Sequence, residues 1–106
     1  MVVVESTILV FADYADITWA AAANGDTGRA VDVSKYTDIN VQCTAGTIGT
    51  STMQGSMDGT TWGALGAGMT IPATNGVLSL TTRAKFIRPN FGAGATGAVV
   101  QAIATR

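Results

Sequence analysis

Apolar and polar residues alternate with a period of two along much of this chain. In residues 36–44, Ile39, Val41 and Cys43 alternate with Asp38, Asn40, Gln42 and Thr44. Successive side chains of a strand point to opposite faces, so this pattern predicts a strand with one buried and one wet face. In it, Cys43 reads as a small core residue. Val31 and Val33 alternate with Ala30, Asp32 and Ser34. Met53, Gly55 and Met57 alternate with Thr52, Gln54 and Ser56, and Leu78 and Leu80 with Ser79 and Thr81. Near the C-terminus, Val99, Gln101 and Ile103 face opposite to Val100, Ala102 and Ala104. Residues 2–12 are apolar-rich and read as a further strand. A signal peptide needs a basic leading region and an unbroken apolar stretch. Here no Lys or Arg precedes Arg29, and Glu5, Ser6 and Thr7 interrupt the run. The longest helix-like stretch, residues 19–23, is short and ends at Asn24-Gly25; it reads as strand or irregular turn.

Turn pairs separate these runs: Asn24-Gly25, Asp58-Gly59 and Asn75-Gly76. Each pair accepts the positive φ values of tight hairpins. About eight short strands at short intervals predict an all-β fold, an antiparallel β-sandwich or jelly-roll-like domain. The 106 residues show no repeat and no linker, so the prediction is one domain over 1–106. Within it, 1–12 forms an N-terminal strand or an arm that contacts a neighbour.

Composition changes the picture in two ways. Charged residues make up 12% of the chain, against about 25% in typical soluble domains. So few charges protect a free monomer poorly against association, unless Ser, Thr, Asn and Gln keep the surface wet instead. Net charge is −1, so there is no basic excess to track phosphates, and no nucleic-acid partner is expected. No run approaches the roughly 20 apolar residues of a membrane helix, so no membrane partner is expected. With Cys43 as the one cysteine, no intrachain disulfide can form, which fits synthesis in a cytoplasm.

The residues for chemistry are sparse. There is no histidine, and hence no imidazole base. The carboxylates are Glu5, Asp13, Asp16, Asp26, Asp32, Asp38 and Asp58, and Asp13 and Asp16 lack calcium-loop spacing. The run Gly92-Ala93-Gly94-Ala95-Thr96-Gly97 matches a dinucleotide fingerprint formally. That chemistry needs a following helix, and here a strand-like run follows. The expectation is no enzyme, no catalytic residue, no metal and no cofactor.

Two segments carry recognition potential. In Gln54-Gly55-Ser56-Met57-Asp58-Gly59-Thr60-Thr61-Trp62, Asp58-Gly59 predicts a tight turn between two strands, with Thr60 and Thr61 in the second. Trp62 then packs back across the hairpin or into the core or, if exposed, stacks on a sugar ring or a partner protein. In Arg83-Ala84-Lys85-Phe86-Ile87-Arg88-Pro89, three cations among apolar residues predict one basic and one inward face. Pro89 cannot donate to a ladder, so an edge strand or strand end is expected.

From Gly28-Arg29-Ala30-Val31-Asp32-Val33-Ser34-Lys35-Tyr36 onward, the order of pieces resembles small virion proteins of tailed phages, including capsid decoration (cement) proteins. The later pieces are the S-x-D-G-T-x-W hairpin, the K-F-I-R-P strand and a Gly-rich loop into a Val-rich strand. The resemblance covers residues 28–104. It implies a structural protein on the capsid surface of the virion, with the major capsid protein as partner. It also suits a homo-oligomer, a trimer at a three-fold position being favoured. The contact residues expected are Val2, Val3, Val4, Arg83, Lys85 and Arg88. A tail or connector component is an alternative. Ser56, Asp58, Gly59 and Trp62, with Phe86, Ile87 and Arg88, also resemble elements of discoidin-type carbohydrate-binding modules. This chain is shorter and lacks their usual N-terminal portion, so no sugar-binding residues carry over.

Overall fold

The computed structural model describes residues 3–23, 25–64, 77–80 and 84–106. These form eleven strands: β1 (Val3–Val4), β2 (Ser6–Val10), β3 (Tyr14–Ala22), β4 (Thr27–Gly28), β5 (Val31–Asp32), β6 (Asp38–Thr47), β7 (Thr52–Ser56), β8 (Gly63–Ala64), β9 (Val77–Leu80), β10 (Phe86–Asn90) and β11 (Thr96–Thr105). One sheet runs β2-β3-β11-β6-β9. The other runs β1-β4-β10-β7-β8, with β5 also paired to β10. There is no helix among the described residues, and the fold is the all-β sandwich that the alternation predicts. The turn at Asn75-Gly76, and Asn24 of the turn at 24–25, lie outside the described residues.

The two long strands β6 and β11 explain the core. They pair antiparallel, with Val100 opposite Cys43 and Ala102 opposite Val41. Ala98, Val100, Ala102 and Ala104 are all fully buried, as are Val41 and Cys43. Small side chains on the inward face of a central strand leave room for large ones in the same core. Those are Trp19, Ile17, Met53, Ile87 and Phe91. The partners Val99, Gln101 and Ile103 turn outward and are half-buried.

Two features depart from the sequence reading. The apolar segment 2–12 is two strands, and they belong to different sheets. β1 pairs parallel with β4, while β2 pairs antiparallel with β3. The crossing is at Glu5, which is held from a distance. The Arg29 guanidinium grips the Glu5 carboxylate through two bonds of 2.8 and 3.0 Å. The Arg29 amide donates to the Val4 carbonyl at 2.8 Å, and the Arg29 carbonyl accepts the Trp19 indole N–H at 2.9 Å. This contact holds Glu5 below the usual carboxylate range.

Second, of the two positions expected for Pro89, the edge is not found, since β10 is an interior strand, but the strand end is: Pro89 is buried one residue before the end of β10. β10 has β7 on one side and β4 and β5 on the other. What makes room is a break in the flanking strand: Asn90 pairs with Thr27, but Ile87 pairs with Val31, a one-residue slip. Phe91 donates its amide to Asp26 at 2.9 Å on that side. Two residues earlier the Pro89 nitrogen points the same way, into the break, where no donor is needed. Its ring lies over Gly28.

Candidate interaction surface

A two-layer sandwich can bury only one face of each strand. The run Ile8-Leu9-Val10-Phe11 has four apolar residues in succession, so it cannot hide them all. β2 forms one edge of its sheet, hydrogen-bonded to β3 alone among the described strands. Ile8, Leu9, Val10 and Phe11 are 44, 54, 64 and 47% exposed. Ala12 and Asp13 turn the chain back, with the Phe11 amide donating to the Tyr14 carbonyl at 2.8 Å. The Phe11 and Tyr14 rings then stack, 4.6 Å between centroids.

Among the described residues, the edge carries none of the usual protection. Residues 6–12 contain no charge, no proline and no glycine. Natural edge strands are normally blunted by lysines, prolines, bulges or a covering element. A groove of about 400 Å³ is lined by Ile8, Val10, Ile17, Val31 and Tyr36, with Asp32 and Lys35 at its rim. Exposed apolar area of this kind marks an interaction surface.

The expected contact residues separate. Val2 and Arg83 lie outside the described residues. Val3 is about half exposed, but Val4 is a core residue at 8%. It is buried because β1 joins the sheet opposite β2, and so it is no surface contact. Lys85 and Arg88 do not form one basic face. They are three residues apart, an odd number of steps, so the alternation of a strand separates them. Lys85 precedes β10 and is exposed, its ammonium 5.4 Å from the Phe86 ring centroid. Arg88 is half-buried on the outward face of β10. It donates to Gln54 Oε1 at 2.9 Å and lies 4.1 Å over the Trp62 ring.

That stacking bears on Trp62, which is half-buried. One face of its indole already carries a guanidinium, a favourable contact for a cation on an aromatic ring. Partial burial depresses the Arg88 pKa by desolvation. A shallow pocket of about 260 Å³ adjoins the pair, lined by Val3, Thr27, Arg29 and Gly59 among others.

The segment from Met57 to Trp62 is a loop of six residues, not a tight Asp58-Gly59 turn. β7 stops at Ser56, and Gly55 pairs next with Gly63. Thr60 and Thr61 therefore lie in the loop, and Met57 is 74% exposed instead of buried. The cause is local. Ser56 Oγ accepts the Gly59 amide at 2.8 Å and donates to Asp58 Oδ1 at 2.9 Å. The same Asp58 oxygen accepts the amides of Thr60 and Thr61 at 2.9 and 2.8 Å. Such bonds compete with the ladder and end the strand.

These donors hold the Asp58 carboxyl far below the usual carboxylate range, the two threonine amides contributing most. A folded-state pKa below the unfolded value gives stability that is present above the unfolded pKa. It is lost only as pH falls through the folded one. The loop is thus expected to stay closed at pH 3, where an unrestrained aspartate, pKa 3.8, is mostly protonated. A carboxyl ¹³C titration that finds Asp58 neutral at pH 3 would contradict this. Asp58→Ala is expected to speed amide exchange at Thr60 and Thr61 and to leave Val41 unchanged.

Sequence reasoning missed Ile8, Leu9, Val10, Phe11 and Tyr14 as individual surface residues. The signal was present in the unalternating run, which no two-layer fold can bury. Scans against protein-family models, curated proteins and solved structures return no match to this chain.

Proposed function

We propose that this chain is a structural protein of a tailed-phage particle, a decoration protein that docks on the major capsid protein at the shell surface. The observation that carries the reading is the uncharged, apolar, unpaired edge at β2 on a chain with little charge anywhere. Such a surface is a cost to a free monomer and an asset to a component that works assembled. The order of motifs over residues 28–104 supplies the phage context.

The physics of the role is additive. A shell made of one major protein has seams between its subunits. A small rigid sandwich laid across a seam buries area that is lost if the seam opens. Specific contacts of this kind bury roughly 800 Å² per partner. Joined copies bind several shell subunits at high effective concentration, so each contact can be weak. The reading needs no cofactor and no turnover. A glycan-binding role would rest on Trp62, which is half-buried and has one face covered by Arg88.

Copy number in purified particles tests the proposal. An abundance comparable with the major capsid protein, and a higher melting temperature of stripped shells on adding the protein back, are expected. A few copies per particle would assign it to the tail or connector. Absence from particles would overturn the phage reading.

A further inference from the structure

We infer that two copies of this chain pair antiparallel through β2, with Ile8 on the two-fold axis, to make one continuous ten-stranded sheet. Hydrogen-bond parity decides which backbone groups of β2 are open. The Phe11 amide donates to Tyr14 across the hairpin. In an antiparallel ladder, backbone groups of alternate residues point to opposite sides. Phe11, Leu9 and Thr7 therefore direct their amides and carbonyls to β3. Ser6, Ile8 and Val10 direct theirs away from it, to the open edge.

An added strand must match that parity. Among the described strands, β2 itself has the right length, no charge and apolar side chains on both faces. Antiparallel self-pairing is the arrangement that a two-fold axis generates. With Ile8 opposite Ile8 of the second copy, Ser6 falls opposite Val10 and Val10 opposite Ser6. All three outward residues are then used; three pairs at two bonds each give six. Centring on Leu9 would oppose Ser6 to Ala12, in the turn, and lose one third of these bonds.

Side chains agree with this register. Ile8 and Val10 share the face of Ile17 and Ala15, their ladder partners, which are core residues. On pairing, Ile8 and Val10 of each copy extend that core across the axis and close the mouth of both grooves. Leu9 meets Thr7 of the second copy on the outer face. No like charges meet, because Glu5 is engaged by Arg29 in its own chain. At ordinary side-chain sizes, the exposed parts of Ile8 through Phe11 and Tyr14 amount to roughly 400–500 Å² per copy. That is about half of the roughly 800 Å² per partner of a standard interface, the size of a weak, exchangeable contact, to which the six backbone bonds add.

This pairing rests on the assembly role proposed above and gives the β2 edge to a second copy, so that docking on the shell falls to other faces of the joined sandwiches; the two can be tested apart. Light scattering on the eluting full-length chain is expected to give twice the chain mass; one or three copies would overturn the inference. Amides of Ser6, Ile8 and Val10 are expected to exchange slowly in the pair and quickly on dilution. Those of Thr7, Leu9 and Phe11 should stay slow in both. Ile8→Cys is expected to form an intermolecular disulfide under mild oxidant, since directly opposed Cα atoms lie about 5.5 Å apart. Val10→Cys, though more exposed, is not. Cys43 is buried and gives no background. Cross-linking at Val10 and not at Ile8 would overturn the register. A monomer that still binds shells would sink the pairing and leave the shell role standing; a pair absent from particles would do the reverse.

Discussion

Gly28→Ala is expected to lower the melting temperature by roughly 10–20 °C, corresponding to about 3 kcal/mol. A methyl group at this position would lie 2.5 Å from Cδ and Cγ of Pro89 and 2.8 Å from Cδ1 of Trp19. Neither neighbour can step aside. The proline ring is rigid and sits in a strand paired on both sides. The indole is fully buried and anchored to the Arg29 carbonyl. Relief would have to come from separating β4 and β10, which breaks the pairing of Thr27 with Asn90. Gly63→Ala is the control. Nothing lies within 4 Å of a methyl group there, so its melting temperature should change little. Equal melting temperatures for the two variants would mean that the sheet at Pro89 yields more easily than its geometry implies.

This contact also marks where sequence reasoning stops. Alternation located β6, β7, β9 and β11, because in those strands the burial of one face is decided within a few residues. The sheet crossing at Glu5 was not legible, since its cause is Arg29, 24 residues later. Pro89 does lie near the end of its strand, as expected, but not on an edge strand. A proline in a strand points to an edge only when the neighbouring strand is continuous, and here it breaks between Gly28 and Val31. Met57 follows the alternation of β7 in sequence, but the Ser56–Asp58 bond ends the strand one residue earlier. The candidate surface was legible in part. The segment was identifiable as apolar, but which of its residues are exposed was not: Val4 is buried and Ile8–Phe11 are exposed, because the crossing assigns each half to its own sheet.

Trp19→Ala is expected to remove about 3–5 kcal/mol, a large share of the roughly 5–15 kcal/mol that holds a domain together. Trp19 is the largest fully buried side chain, and it stands opposite Ser6 in the β2–β3 ladder. It therefore joins three things: the core, the Gly28–Pro89 contact and the crossing at Glu5. Trp19→Phe separates them. Most of the apolar volume stays, but the Arg29 carbonyl loses its indole donor, at a cost of about 1–3 kcal/mol. If that bond fixes the crossing, the phenylalanine variant should fold, and its Arg29 amide, bonded to Val4, should exchange faster than in the parent protein. The Val41 amide, in the centre of the sandwich, should slow or quicken only with global stability. A uniform change at both amides would show that Trp19 acts by volume alone. A selective change at Arg29 would show that the core residue also sets the angle at which the open edge of β2 is presented.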